Sequence, residues 1–308
     1  MCASGASVVR ACSPAVRRLG ARQTERAAAL RVREMELVDI QSAAAVAAAA
    51  FEVELVDREA LRRWVERLGH PLATDPGGAF IAEHDGRIIG VAEAIRRERL
   101  WCLSLLAVRP GVQSAGTGRA LLEQTMAYAA GTDAGLIVSS NDHRALRLYA
   151  QAGFSLLPTF EAVGSLDRRA LPRPDRGVAE RGSGDLEALE SISRDIRGAP
   201  HTPELELAMR SGARLLRLGD RGFALAQPGM GVWLLVARDE QAAVALLWST
   251  LDLTGDTERI GVRWITSGQD WAIDVVVRAG LRLSANGALC VSGRPGPLHP
   301  FIPSGAFA

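Results

Sequence analysis

From Arg31 onward the apolar positions follow two rhythms. Alternation over Arg31 to Glu36 predicts a short strand, and spacings of three and four predict helices from Val38 to Phe51 and from Arg58 to Gly69. The prolines and glycine pair of Pro71 to Gly78 are expected to end this helical region. Ala79 to His84 and Arg87 to Ile95 read as two strands joined by a tight Asp85-Gly86 turn. Leu100 to Val108 is almost continuously apolar, which predicts a central strand buried on both faces. A glycine-bearing loop follows, then a helix over Arg119 to Ala130 with Leu121, Leu122, Met126 and Ala129 on one face. Leu136 to Ser140 reads as a strand and Asp142 to Ala152 as a helix stopped by Gly153. Phe154 to Ala162 closes the unit as a further strand.

The stretch Gly164 to Asp175 (GSLDRRALPRPD) combines prolines, small residues and charges, the composition of a linker. Beyond it the chain resembles itself. Gly177-Val178-Ala179-Glu180 through Asp185-Leu186 matches Arg31-Val32-Arg33-Glu34 through Asp39-Ile40, and Ala272 to Leu281 (AIDVVVRAGL) matches Ala145 to Phe154 (ALRLYAQAGF). A duplication is expected. The organisation that follows is an extension over 1–30, a first domain over 31–163, a linker over 164–175 and a second domain over 176–308. The extension is rich in Ala, Ser and Arg and lacks the continuous apolar stretch of a secretory signal, so it is read as flexible.

Composition adds exclusions. With 308 residues, 48% apolar, 23% charged and a net charge of +1, the chain reads as globular, without the basicity that captures nucleic acid or an anionic membrane. All 36 basic residues are arginine, so no lysine is present to be acylated. The four cysteines, at 2, 12, 102 and 290, have no CxxC spacing and the five histidines are scattered, which predicts a reducing cytoplasm and no metal site. The longest alanine-rich run, Ala43 to Phe51, is too short to cross a bilayer.

The chemistry concentrates between Leu103 and Ala130. A glycine-rich turn from strand to helix presents free backbone N–H groups at the positive end of the helix dipole, a site suited to phosphate. Gly116 and Gly118 allow close approach, and Arg119 adds a charge. A lysine-dependent phosphate loop is excluded by the absence of lysine. A dinucleotide fingerprint needs a third glycine where Leu121 stands.

The loop Gln113-Ser114-Ala115-Gly116-Thr117-Gly118 resembles the Arg/Gln-x-x-Gly-x-Gly/Ala signature of the GNAT acyltransferase superfamily. Leu106-Ala107-Val108-Arg109-Pro110 is similar to that family's fourth strand and turn, and Arg144 to Phe154 to its second motif, Ala-x-x-Leu-Tyr-x-x-x-Gly-Phe. The resemblance covers Arg31 to Ala162. It implies an α/β fold of two GNAT-like domains, each a mixed, mostly antiparallel sheet flanked by helices, with strands four and five splayed apart in the first. It further implies acetyl-CoA as acyl donor, with the backbone of Leu106, Ala107 and Val108 against the pantetheine arm. Ser114, Ala115, Gly116, Thr117, Gly118 and Arg119 are then expected to hold the pyrophosphate, with Gln113 a further cofactor-binding residue. Tyr149 stands where family members place the acid that protonates the departing thiolate. A phenol is a hydrogen-bond donor suited to that role.

The chain departs from the family pattern in two places. The family's CoA-contacting asparagine falls at Asp142, leaving neighbouring Asn141 as the candidate contact and one of the two as helix cap. The fifth-strand glutamate of enzymes that acetylate protein N-termini is Ile137 here, which counts against that substrate class. Glu93 and Glu52 are the candidate bases, and Ser104 and Cys102 are read as packing residues. The second half has lost the chemistry: Ala237-Arg238-Asp239-Glu240 replaces the glycine loop and Val276 stands in place of Tyr149. Its loop Arg197 to His201 is a candidate to face substrate, and Pro295 to Ala308 is expected to pack across a domain. The expected function is transfer of an acetyl group from acetyl-CoA to a primary amine of a small molecule or peptide by direct attack, without metal, in the cytoplasm, with a homodimer as the assembly to test. The alternatives are a longer acyl-CoA or hydroxyl acceptor in the same fold, or a non-catalytic acyl-CoA-binding protein.

Overall fold

The computed structural model describes residues 30–54, 58–113, 116–173, 175, 177–182, 186–227, 231–253 and 260–308. The first half runs β1 (Arg31–Glu34), α1 (Ile40–Ala50), α2 (Arg58–Thr74), β2 (Ala79–His84), β3 (Arg87–Arg97), β4 (Leu100–Val108), α3 (Thr117–Ala127), β5 (Ala134–Ser139), α4 (His143–Gln151) and β6 (Ser155–Gly164). The second half runs β7 (Val178–Arg181), α5 (Glu187–Arg197), α6 (Thr202–Arg210), β8 (Arg214–Leu218), β9 (Gly222–Gln227), β10 (Gly231–Ala237), α7 (Glu240–Leu253), β11 (Ile260–Thr266), α8 (Asp270–Arg278), β12 (Arg282–Gly293) and β13 (Phe301–Ile302). The fold is α/β, a mostly antiparallel sheet flanked by helices. Parallel pairing is confined to β4 with β5 and β10 with β11.

The sheet is continuous across the chain, in the order β1-β2-β3-β4-β5-β12-β6-β11-β10-β9-β8-β7, with β13 beside β10. The two halves therefore exchange strands. β12, from the second half, pairs with β5 at Ala288 to Gly293. β6, from the first half, pairs with β11 at Thr159 to Gly164. β6 and β12 also pair with each other. Each half's sheet is thus extended by the other's last long strand.

Packing reinforces the exchange. One core cluster joins Ile95, Leu100, Cys102 and Leu136 of the first half to Leu189, Leu205, Phe223 and Phe301 of the second. Beside it runs a buried ionic network. Arg97 donates to both oxygens of Asp75, at 2.9 and 3.0 Å, and through Nε to Glu204 of α6 at 2.9 Å. Asp75 also accepts the Arg96 N–H at 2.7 Å and the Tyr128 hydroxyl at 3.2 Å. Burial alone destabilises such charges, and the mutual hydrogen bonds offset it only while every partner is present.

α2 extends past the expected stop at Gly69 and carries Pro71 inside it, reaching Thr74. Proline removes one helical hydrogen bond, but His70 and Pro71 are buried and Asp75 beyond them anchors the network, so tertiary packing holds the extra turn. The expected linker begins inside β6, which runs to Gly164 and is pinned between β12 and β11. Among the described residues no helix is long and apolar enough to cross a membrane.

Replacing Glu204 by Ala leaves Arg97 buried without its partner from the second half. It is expected to lower unfolding free energy by about 3 kcal/mol in a denaturant titration. A change within experimental error would show that the network does not hold the halves together.

Candidate active site

β4 and β5 are hydrogen-bonded only over Leu100–Leu103 and Ala134–Ile137. Past this point they separate. The divergence begins at a β-bulge, because Leu103 pairs with Ala94 and Leu105 with Glu93, which leaves Ser104 as the extra residue. The carbonyl of Ser104 accepts a 2.7 Å bond from Arg67 of α2, and its hydroxyl donates to the Ala306 carbonyl at 2.8 Å. Ser104 is therefore a junction at the root of the splay, a role its polarity within an apolar strand hinted at but did not define.

A cleft of about 990 Å³ passes through the splay. Leu106, Ala107 and Val108 line it, as do Gln113, Gly116, Gly118, Arg119 and Tyr149. The structure thus brings together most of the residues singled out from sequence. Ser114 and Ala115 lie outside the described residues. Gly116 caps α3 at φ +88°, a left-handed conformation that a side chain would strain. α3 begins at Thr117, so Gly118 lies in its first turn, where N–H groups lack intrahelical partners. Thr117 itself is buried.

Side chains of α4 hold the loop in place. Arg144 reaches back to Gln113 Oε1, while Gln113 donates its amide to the Val108 carbonyl at 3.0 Å. Arg119 donates to Gln151 at 2.8 Å. Asp142 caps α4 by accepting the Arg144 N–H at 2.9 Å, and the Arg144 guanidinium holds its carboxyl below the usual range. Arg144 and Arg147 both line the cleft beside the loop. Neither was singled out from sequence as a ligand residue, since in an arginine-only chain no arginine stands out.

Asn141 is engaged by the irregular part of β12. It donates to the Ala285 carbonyl at 3.1 Å and accepts the Gly287 N–H at 2.6 Å, and it is not among the cleft-lining residues. Both ends of its amide fasten the β12 irregularity. The Arg197 to His201 loop is also away from the cleft. Arg197 and His201 are fully buried, and Arg197 donates to the carbonyls of Phe307 and Ala308 at 2.9 and 3.0 Å. Arg197 thereby fixes the segment that carries Gly305 and Ala306 into the cleft wall.

Tyr149 is buried among Trp101, Leu103, Ile137 and Cys290 and still lines the cleft. Burial, with Cys290 and Asp142 nearby, raises its pKa, so the phenol stays protonated and can donate. Burial pushes the Cys102 thiol up to about 11 and the Cys290 thiol up to about 12, which removes both as thiolate nucleophiles at neutral pH. Of the two acids considered as bases, Glu52 is exposed after α1, and Glu93 is buried on β3 opposite Leu105. Both Glu93 oxygens and Arg67 Nη1 lack a hydrogen-bond partner. Burial pushes the Glu93 carboxyl up to about 8, with Arg67 opposing.

The second half repeats this layout and closes it twice. β10 and β11 pair only at Gly231–Val232 and Gly261–Val262, then diverge. Here β13 fills the gap, with Ile302 and Phe301 paired to Leu235 and Val236. At the strand-to-helix turn, Asp239 accepts the Ala242 N–H at 2.9 Å and is clamped by Arg221. The α7 N-terminus is thus capped by a carboxylate where the first half has a glycine turn. Val276, aligned with Tyr149, is fully buried in a hydrophobic cluster.

A mixed sheet that opens between two parallel strands onto a glycine turn and helix N-terminus is the layout of a GNAT fold. Residues 37–154 match the Acetyltransferase (GNAT) family. An uncharacterized N-acetyltransferase of Mycobacterium tuberculosis is 41% identical over 88 residues, 27% of this chain and 56% of that protein. A mycothiol acetyltransferase of Streptomyces bingchenggensis is 34% identical over 104 residues, 32% of this chain and 33% of that protein. The chain thus spans between a third and little more than half the length of these curated relatives. A solved putative acetyltransferase from Pyrococcus horikoshii superposes with a TM-score of 0.74 at 18% identity, covering 91% of this chain and 96% of that one. A tandem GNAT protein from the clavulanic acid biosynthesis pathway gives 0.57 at 14% identity, covering 86% and 98%. These two likenesses concern the fold. Residues 37–154 thus carry a GNAT acetyltransferase domain, and the second half repeats its layout without the glycine turn or the tyrosine.

Folded Glu93 keeps its proton up to about pH 8, whereas in the unfolded chain the carboxyl releases it in the ordinary range. The native state then binds more protons between those values, so its stability falls as pH rises through them. The stability of Glu93→Gln relative to wild type is expected to increase from about pH 5 to about pH 9, read by thermal melts. A flat difference would contradict a protonated Glu93.

Proposed function

We propose that the protein transfers an acetyl group from acetyl-CoA to a primary amine at one site per chain, in the first half. The splay between β4 and β5 carries this reading. It leaves the β5-facing edge of Leu106 to Val108 open beside a glycine turn, and β13 occupies the corresponding gap in the second half. An extended pantetheine arm suits that open edge as an added strand would. Gly116, the first turn of α3, Arg119, Arg144 and Arg147 offer N–H groups and positive charge for the phosphates.

In the proposed reaction an amine nitrogen, having lost a proton, adds to the thioester carbonyl carbon. The carbon–sulfur bond breaks and the nitrogen gives up a second proton. Tyr149, kept protonated by burial, gives its proton to the departing thiolate and is reprotonated through solvent by the proton that the nitrogen releases, so that an amide and free CoA thiol result. The relatives named as acetyltransferases support acyl transfer as the class of reaction. The same geometry accommodates a longer acyl chain, which an assay with several donors distinguishes.

Released CoA, measured across a panel of amines with acetyl-, propionyl- and longer acyl-CoA donors, tests the proposal. Tyr149→Phe is expected to lower kcat by about a hundredfold with little change in acetyl-CoA affinity. Full turnover by that variant at saturating substrate would remove Tyr149 from the mechanism. No CoA release with any amine would overturn the proposal.

A further inference from the structure

The cleft has a second end, on the side of the sheet covered by α1, α2 and the second half. Trp64 of α2 and Phe51 stack there at 6.3 Å, with the Arg67 guanidinium 5.5 Å from the Trp64 ring. The second half supplies Trp233, Arg263 and Trp264, and Trp233 packs on Phe307 at 5.4 Å.

Arg263 and Trp264 reach this wall through a break in strand geometry. β11 pairs with β6 at Val262 and again at Ile265, and the register shifts between them. Trp264 sits at φ +55°, in the left-handed region that a tryptophan rarely adopts. A β-bulge re-aims side chains, and strain of this kind persists only where the surroundings impose it. Gly305 makes room for the ring. A Cβ on that residue would stand 2.4 Å from the Trp264 ring, so glycine lets the indole lie against the backbone of the segment fixed by Arg197.

The polar groups at this end are donors. Arg67 Nη1 and Trp264 Nε1 are buried without a hydrogen-bond partner. Arg263 is half exposed, and its ion pair with Glu161 is long at 3.7 Å. Among the described lining residues the one carboxylate is Asp142, at the opposite end and engaged by Arg144. Glu93 lies buried nearby and does not line the cleft. A polycationic amine would meet Arg67 and Arg263, with the long Glu161 pair as the counter-charge on Arg263. An acceptor with an oxyanion would satisfy donors that otherwise remain unmet, and a flat body would lie against the indoles.

We infer that the acceptor is an amine that also carries a carboxylate and a planar apolar body, recognised by Arg67, Arg263 and Trp264. An aromatic amino acid has this chemistry. The inference rests on the acyltransfer reading and names the substrate class of that same site.

Binding to the full-length protein tests it without requiring turnover. The protein is saturated with CoA in a calorimeter and then titrated with N-acetylphenylalanine, N-acetylphenethylamine or spermidine. The carboxylate-bearing ligand is expected to bind about tenfold or more tightly than its neutral counterpart, the gain of one charge-assisted bidentate contact. Arg263→Gln, a substitution at a half-exposed site, is expected to collapse that ratio to about threefold or less, and Trp264→Phe to reduce it. Equal affinity of the two acetylated ligands, tighter binding of spermidine, or no binding of any of them overturns the inference. If CoA binds and the carboxylate preference is absent, the inference alone fails. If CoA does not bind, the acyltransfer reading fails and the inference fails with it.

Discussion

β12 lies between β5 and β6, and β6 lies between β12 and β11, so neither half has a complete sheet without a strand from the other. This reciprocal pairing governs the rest of the molecule. Backbone hydrogen-bonding groups must be paired when buried, and here the pairing of β5 is completed from more than a hundred residues away in the chain. The Arg97–Glu204 contact and the shared core cluster follow the same seam. Once the halves are joined in this way, the second half has a fixed position over the splay of the first. It can therefore supply Trp233, Arg263, Trp264 and Ala306 to the cleft.

The segment from Phe301 to Ala308 links the two halves functionally as well as structurally. Its first residues pair with β10 and fill the gap between β10 and β11. A few residues later Ala306 accepts from Ser104 at the root of the open splay. Arg197 fixes its last two carbonyls from beneath. One short stretch thus fills the splay of the second half and walls that of the first. The second half no longer carries the glycine turn or the tyrosine. Its remaining contribution at the cleft is shape and charge on the side away from the phosphate loop.

Local structure and many of the cleft-lining residues of the first half were legible in the sequence, for physical reasons. Apolar periodicity reports which face of an element is buried, and it located the strands and helices of the first half to within a few residues. Gly116, at φ +88°, reports a backbone conformation that residues with a side chain rarely adopt. Asn141 and Asp142 could not be told apart, because capping and ligand contact favour the same residue types. The helix through Pro71 was missed because local chemistry argued for a stop and tertiary burial decided otherwise. Strand exchange was invisible, since β6 and β12 have the same alternation whether they pair within a half or across halves. Trp264 carried no signal at all: its importance lies in a bulge and in Gly305, residues that meet only in the folded chain.

The sheet has one open splay and one that β13 fills. The most direct test is calorimetric titration of the intact chain with acetyl-CoA, read for stoichiometry. One molecule bound per chain is the expected result, with affinity falling by about tenfold or more in Gly118→Asp, where a carboxylate would stand among the phosphate-facing N–H groups. Two molecules per chain, or undiminished binding by Gly118→Asp, would contradict the assignment of the site to the first half.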